Sequence, residues 1–272
     1  MTQQQQLKFT DYPHPTGPNI LIIHGLLGSK DNWRSISKHL SQHYRVICVD
    51  CRNHGESFHH PDMNYATMAT DILALIKQLK LTNVHIIGHS MGGKIAMKAL
   101  QLDPQPFQSS VIVDIAPKNY NHHHAHVLEA MQQTNLTSCT TRTDIDTQLS
   151  VCLPNDQATR QLLLKNITRN PDTQAFSWKC NVGAIISNYP SIMQNSLNKT
   201  PISIPTLSIA GETSSYVTAA DHATFKHYFT NITFSCIPHA GHWVQAEAPE
   251  AFLNTLIPFI EKNLQTNQDP LG

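Results

Sequence analysis

The chain has 272 residues, of which 40% are hydrophobic and 14% charged, and its 19 basic and 19 acidic residues balance. That composition can bury a sizeable core and excludes an intrinsically disordered chain. Lys and Arg are scattered rather than clustered, which argues against a nucleic-acid or anionic-membrane footprint.

The opening stretch MTQQQQLKFTDYPHP is polar and lacks the apolar centre of a secretory signal. Apolar runs such as NILIIHGLLG are too short to span a bilayer, so no membrane insertion is expected and a soluble, cytoplasmic protein is. Short β-branched runs follow at 19–25, 45–50, 84–89, 109–116, 205–211 and 232–238. Their near-continuous apolar character predicts parallel strands covered on both faces. Helical patterns lie between and after them, at about 31–42, 65–80, 92–102, 219–229 and 248–264. Strand and helix alternating in this way predict a doubly wound α/β sheet.

From 117 to 202 the rhythm breaks. HAHVLEAMQQT, TRTDIDTQLSV, NDQATRQLLLKNI and CNVGAIISNYPSIM all read as helices, and no strand-like run separates them. A loop of that length without structure of its own is improbable in a globular domain. The expected organisation is therefore a core of residues 1–116 and 203–272 with a helical cap, 117–202, inserted. The polar tail EKNLQTNQDPLG is expected to fray.

Six cysteines invite a redox or metal reading, but the only close pair, Cys48 and Cys51, opens inside a predicted strand rather than at a helix start. Buried, unreactive thiols are the expectation. The run NHHHAH (121–126) has no second ligand cluster at fixed spacing and reads as a solvated helix start. No metal or other cofactor is expected, and no dinucleotide or phosphate-loop motif is present.

Chemistry concentrates at the carboxyl ends of the strands, where open parallel sheets hold ligands. Gly88-His89-Ser90-Met91-Gly92 is a G-x-S-x-G preceded by a strand and followed by a helix, the context that presents a serine as nucleophile on a strained turn. His242, beside Gly241 after the last strand, is the candidate general base, and His239 is its rival three residues earlier. The usual place for the orienting acid, three residues beyond Gly211, holds Ser214, which cannot carry the charge. Asp114 stands instead at the end of the strand after the nucleophile helix, where an acid in an apolar run is costly unless paired. It is the preferred acid, with Glu212 the less favoured alternative. The oxyanion donors are expected to be the backbone N–H groups of Met91 and Leu26, the latter in the loop IIHGLLGS. The segment VDCRNHGES is expected to brace that loop.

With these residues assembled, the chain resembles the α/β-hydrolase superfamily, and within it the YbfF-type bacterial esterases and the relatives of α/β-hydrolase domain-containing protein eleven. The matching stretches are HGLLGSKDNW, VDCRNHGES, GHSMGGK, DIAP followed by Tyr120, SYV at 215–217 and AGHWVQAEAP. The resemblance implies a serine hydrolase of carboxylic esters or acyl thioesters, acting through an acyl-enzyme with Ser90, His242 and Asp114. A C–C bond hydrolase or acyltransferase with the same triad is the alternative, as is a non-catalytic small-molecule binder on this fold. NYPSIM and FSWK are expected to supply apolar groups to the substrate pocket.

Overall fold

The computed structural model describes residues 6–122 and 124–265. Its strands are β1 (Phe9–Tyr12), β2 (Asn19–Ile23), β3 (Arg45–Val49), β4 (Val84–His89), β5 (Phe107–Val113), β6 (Ile167–Arg169), β7 (Phe176–Trp178), β8 (Thr206–Gly211) and β9 (Ile232–Ile237). Its helices are α1 (Arg34–Leu40), α2 (Tyr65–Gln78), α3 (Met91–Leu102), α4 (Ala125–Gln133), α5 (Arg142–Cys152), α6 (Gln157–Lys165), α7 (Val182–Met193), α8 (Asp221–Tyr228), α9 (Val244–Glu247) and α10 (Pro249–Gln265). No described helix is long and apolar enough to cross a membrane.

Seven strands form one sheet in the order β1-β3-β2-β4-β5-β8-β9. Every neighbouring pair is parallel except β1 with β3. Side chains alternate between the two faces, as a period of two requires. Leu21, Ile23, Ile47, Val49, Ile86 and Ile112 pack with α2, α3 and the inserted helices, whereas Ile20, Ile22, Val46, Ile87 and Val111 pack with α1 and α10 around Trp33 and Phe252. This two-sided cover is why the strands carry no polar alternation. The chain order reverses between β2 and β4, which opens a crevice at their carboxyl ends.

The α/β-hydrolase architecture expected from the sequence is present, with three local differences. Strand β1, FTDY, is half-buried and polar, and it escapes a search for apolar runs because it is an antiparallel edge strand. Strand β9 closes the other edge and is only partly covered, unlike the fully buried β4 and β8. Between β5 and β8 the four expected helices, α4 to α7, are present, and a small antiparallel hairpin, β6–β7, stands between α6 and α7. Its three-residue strands are too short to leave a periodic signal. Side chains of this segment, among them Val127, Ile145, Leu149 and Ile185, continue the core of the α2–α3 face.

The six cysteines are free; Cys236 is exposed and Cys152 half-buried, so only four are the buried thiols expected. The first residues of the chain and most of the tail expected to fray lie outside the described residues.

Candidate active site

Strand β4 passes into α3 through Ser90, whose φ of 53° and ψ of −120° put a non-glycine residue in strained backbone. The flanking glycines make this turn possible by close packing. A Cβ on Gly88 would lie 2.3 Å from the Gly92 carbonyl oxygen, and one on Gly92 would lie 2.4 Å from the carbonyl oxygen of Ile23 at the end of β2. The turn is pinned by the Ser90 amide, which donates to the Val113 carbonyl of β5 at 3.0 Å. Ser90 Oγ has no hydrogen-bond partner among the described residues, and the side chain faces a cavity.

One strand further along, Asp114 follows β5 with a φ of 48° and is fully buried. Its backbone turn sends the carboxylate across to the ends of β8 and β9, where three donors meet it. The Gly211 amide reaches Oδ1 at 3.2 Å, and His242 Nδ1 lies 2.7 Å from Oδ2. Ser214 Oγ donates to that same Oδ2. The residue at the usual acid position thus supplies a proton donor to the carboxylate that replaces it. Glu212 points elsewhere: its Oε2 accepts the His239 amide at 2.8 Å and lies 3.5 Å from His239 Nδ1. The two candidate acids and the two candidate histidines therefore sort into separate pairs, Asp114 with His242 and Glu212 with His239.

The His242 ring is held from several sides. Tyr216 stacks on it with centroids 3.8 Å apart and planes at 20°, and His89 lies 4.7 Å away. His89 Nε2 donates to the His242 carbonyl at 2.8 Å, so His89 anchors the loop rather than entering the chemistry. Burial pushes its pKa well below the usual imidazole value, and it is neutral.

The loop after β2 lies directly over Ser90. A Cβ on Gly25 would sit 3.2 Å from the Ser90 Cβ. The amides of Leu26 and Met91 donate to no protein acceptor among the described residues, which leaves two backbone N–H groups available beside the serine. The loop is braced by two buried histidines. His24 Nε2 accepts the Cys51 amide at 3.0 Å, so its Nδ1–H donates to the Gly25 carbonyl at 2.7 Å. His54 Nε2 accepts the Leu27 amide at 3.2 Å and its Nδ1–H donates to the Arg52 carbonyl at 3.0 Å. Those tautomers require neutral rings. Burial lowers the His24 pKa and pushes that of His54 down to about 3. Asp50 completes the brace, accepting from the Lys30 amide at 2.7 Å, the Lys30 ammonium at 2.7 Å and the Glu56 amide at 3.0 Å.

Three further residues, to which the sequence assigns no role there, reach the site. Lys94, one turn of α3 beyond Ser90, is buried with its ammonium on the Gln194 carbonyl at 2.9 Å and 4.8 Å from the Tyr120 ring centre. Burial, helped by the Lys118 charge, pushes its pKa down to about 7. Tyr216 carries its hydroxyl to His124 Nε2 at 3.3 Å while its ring covers His242. His124, in the histidine run expected to be solvated, is half-buried and lines the cavity, whereas His122 and His126 are exposed and His123 lies outside the described residues. Of the two apolar segments expected at the pocket, NYPSIM contributes Ile192 and Met193, but Trp178 of FSWK lines a separate groove.

Residues 18–249 match the family model described as alpha/beta hydrolase fold, and the chain belongs to that family. It is 34% identical over 253 residues to the sn-1-specific diacylglycerol lipase ABHD11 of Mus musculus, covering 90% of this chain and 81% of that one. It is 32% identical over 245 residues to Esterase YbfF of Escherichia coli strain K12, with 89% and 92% covered. Among solved structures, a marine microorganism esterase superposes with a TM-score of 0.90 at 36% identity, over 94% of this chain and all of that one.

Proposed function

We propose that Ser90 attacks the acyl carbon of an ester or thioester, with His242 as base and then acid and Asp114 holding the imidazole. The single observation that carries this reading is the 2.7 Å contact of His242 Nδ1 with the buried Asp114 carboxylate, next to a serine on a positive-φ turn. With Nδ1–H donating to the carboxylate, Nε2 keeps its lone pair for the serine proton. The Leu26 and Met91 amides then meet the oxyanion, and water releases the acyl group from Ser90.

The protein is a carboxylic ester hydrolase of the α/β-hydrolase family. We assign residues 117–202 as its inserted cap, since α4 to α7 stand over the carboxyl ends of the strands with Ile192 and Met193 in the cavity. Six unpaired thiols suit a reducing compartment, which supports a cytoplasmic location. Stopped-flow release of nitrophenol from a nitrophenyl ester tests the nucleophile. A burst equal to the enzyme concentration is expected, and Ser90→Ala should lose the burst, the turnover and fluorophosphonate labelling together. A Ser90→Ala protein that turns over like the wild type would overturn the assignment.

A further inference from the structure

Two cavities meet at the site, and they differ in size and in which catalytic group faces them. The smaller, about 20 Å³, is lined by Ser90, Met91, Lys94, Tyr65, Tyr120 and Met193. The larger, a cleft of about 650 Å³ open to solvent, is lined by His242, Trp243, Asn32, Arg142, Leu162 and Lys165. Leu26 and His124 belong to both, so the cavities join between the serine and the histidine.

We propose that the small cavity takes the acyl chain and the large cleft the leaving group, so that the enzyme selects short acyl groups carried on a bulky alcohol or thiol. This rests on the assignment of Ser90 and His242 made under the proposed function. The direction follows from proton transfer: the imidazolium delivers its proton to the leaving-group oxygen or sulfur, so that atom must lie on the His242 side. The acyl carbonyl points at the Leu26 and Met91 amides, and its chain continues past Ser90 into the cavity those residues line.

The end of that cavity sets the length. Lys94 follows Ser90 by four residues, a rise of about 6 Å along α3, or about five bonds of an extended chain. There the ammonium is engaged by the Met193 and Gln194 carbonyls at 3.4 and 2.9 Å and lies between the rings of Tyr65 and Tyr120. A longer alkyl chain would have to strip this group of its partners, which is costly for a buried polar group.

The test is kcat/KM of the wild-type enzyme on nitrophenyl esters from acetyl through butyryl, hexanoyl and octanoyl to lauroyl and palmitoyl. The optimum is expected at hexanoyl or shorter, with lauroyl at least about tenfold slower, the discrimination a filled apolar pocket provides. Lauroyl or palmitoyl esters hydrolysed as well as butyryl would overturn the proposal while leaving Ser90 as nucleophile. No hydrolysis of any ester and no fluorophosphonate labelling would remove the underlying assignment, and the proposal with it. A second arm compares butyrate esters of a small and a branched, bulky alkanol of similar acidity. Equal or higher kcat/KM for the bulky one is expected, and a large loss would place the leaving group elsewhere. Lys94→Met, nearly isosteric, should raise the octanoyl-to-butyryl ratio severalfold; an unchanged ratio in a folded variant would deny Lys94 its place at the end of the cavity.

Discussion

Asp114 was legible because a carboxylate at the end of an apolar strand has few reasons to be there. What the sequence could not convey is that Ser214 donates to the same oxygen that meets His242. The ends of β5 and β8 thus converge on one point, and the charge can be supplied from either. Asp114→Asn is expected to lower kcat by about 10⁴, as loss of a triad acid does when the imidazole tautomer is no longer fixed. Glu212→Gln, which touches only the His239 pair, should leave it nearly unchanged. The double variant Asp114→Asn with Ser214→Asp should recover part of the loss, and steady-state kinetics on one ester ranks all three. Lys94, His124 and Tyr216 were not legible for a different reason. Each lies in a stretch that stands out for another reason, the histidine run, SYV and GHSMGGK, and only the folding of the inserted segment over α3 and the β8 loop brings them together.

Among the elements, the six parallel strands and the helices that cover them were readable because continuous apolar runs and 3.6-residue periods are strong signals. β1 and the β6–β7 hairpin were not, since their pairing is decided by neighbours rather than by their own residues. The junction of β4 with α3 depends on the absence of side chains at two positions. Gly92→Ala would drive a methyl to 2.4 Å from the Ile23 carbonyl oxygen, a backbone atom that cannot swing away. Such overpacking costs about 1–3 kcal/mol, so thermal unfolding should shift down by several degrees. Activity should fall further than stability, because the displaced turn carries Ser90 away from the Leu26 amide.

For the whole molecule, the buried histidines set the response to acid. His24, His54, His85 and His89 all have pKa values lowered by burial, to about 3 for His54 and about 4 for His85. In the unfolded chain they protonate near 6.5. Below that pH the unfolded state binds more protons than the folded one, so stability present above about 6.5 is lost progressively as pH falls toward 4. Lys94 acts in the same sense at the other end: with a folded pKa of about 7 against 10.5 unfolded, its burial penalises the fold below pH 10.5 and most fully below 7. Scanning calorimetry from pH 8 to pH 4 should therefore show a steadily falling Tm. His54→Gln, which keeps a group able to accept the Leu27 amide, should flatten the acid limb.

The bonds that cross from the inserted helices to the sheet domain are unevenly placed. Asn53, Tyr65, Lys94, Lys98 and Gln101 all grip the inserted segment, whereas among the described residues nothing in 239–247 forms a hydrogen bond to it. Leu27, Tyr216 and Asp221 hold it as well, from the β2 loop and from the chain after β8. The 239–247 loop is therefore the stretch of rim left unfastened, and it runs past Trp243 on the side proposed for the leaving group. The exit of an alcohol there should make kcat indifferent to added viscogen, unlike enzymes whose product waits for a lid.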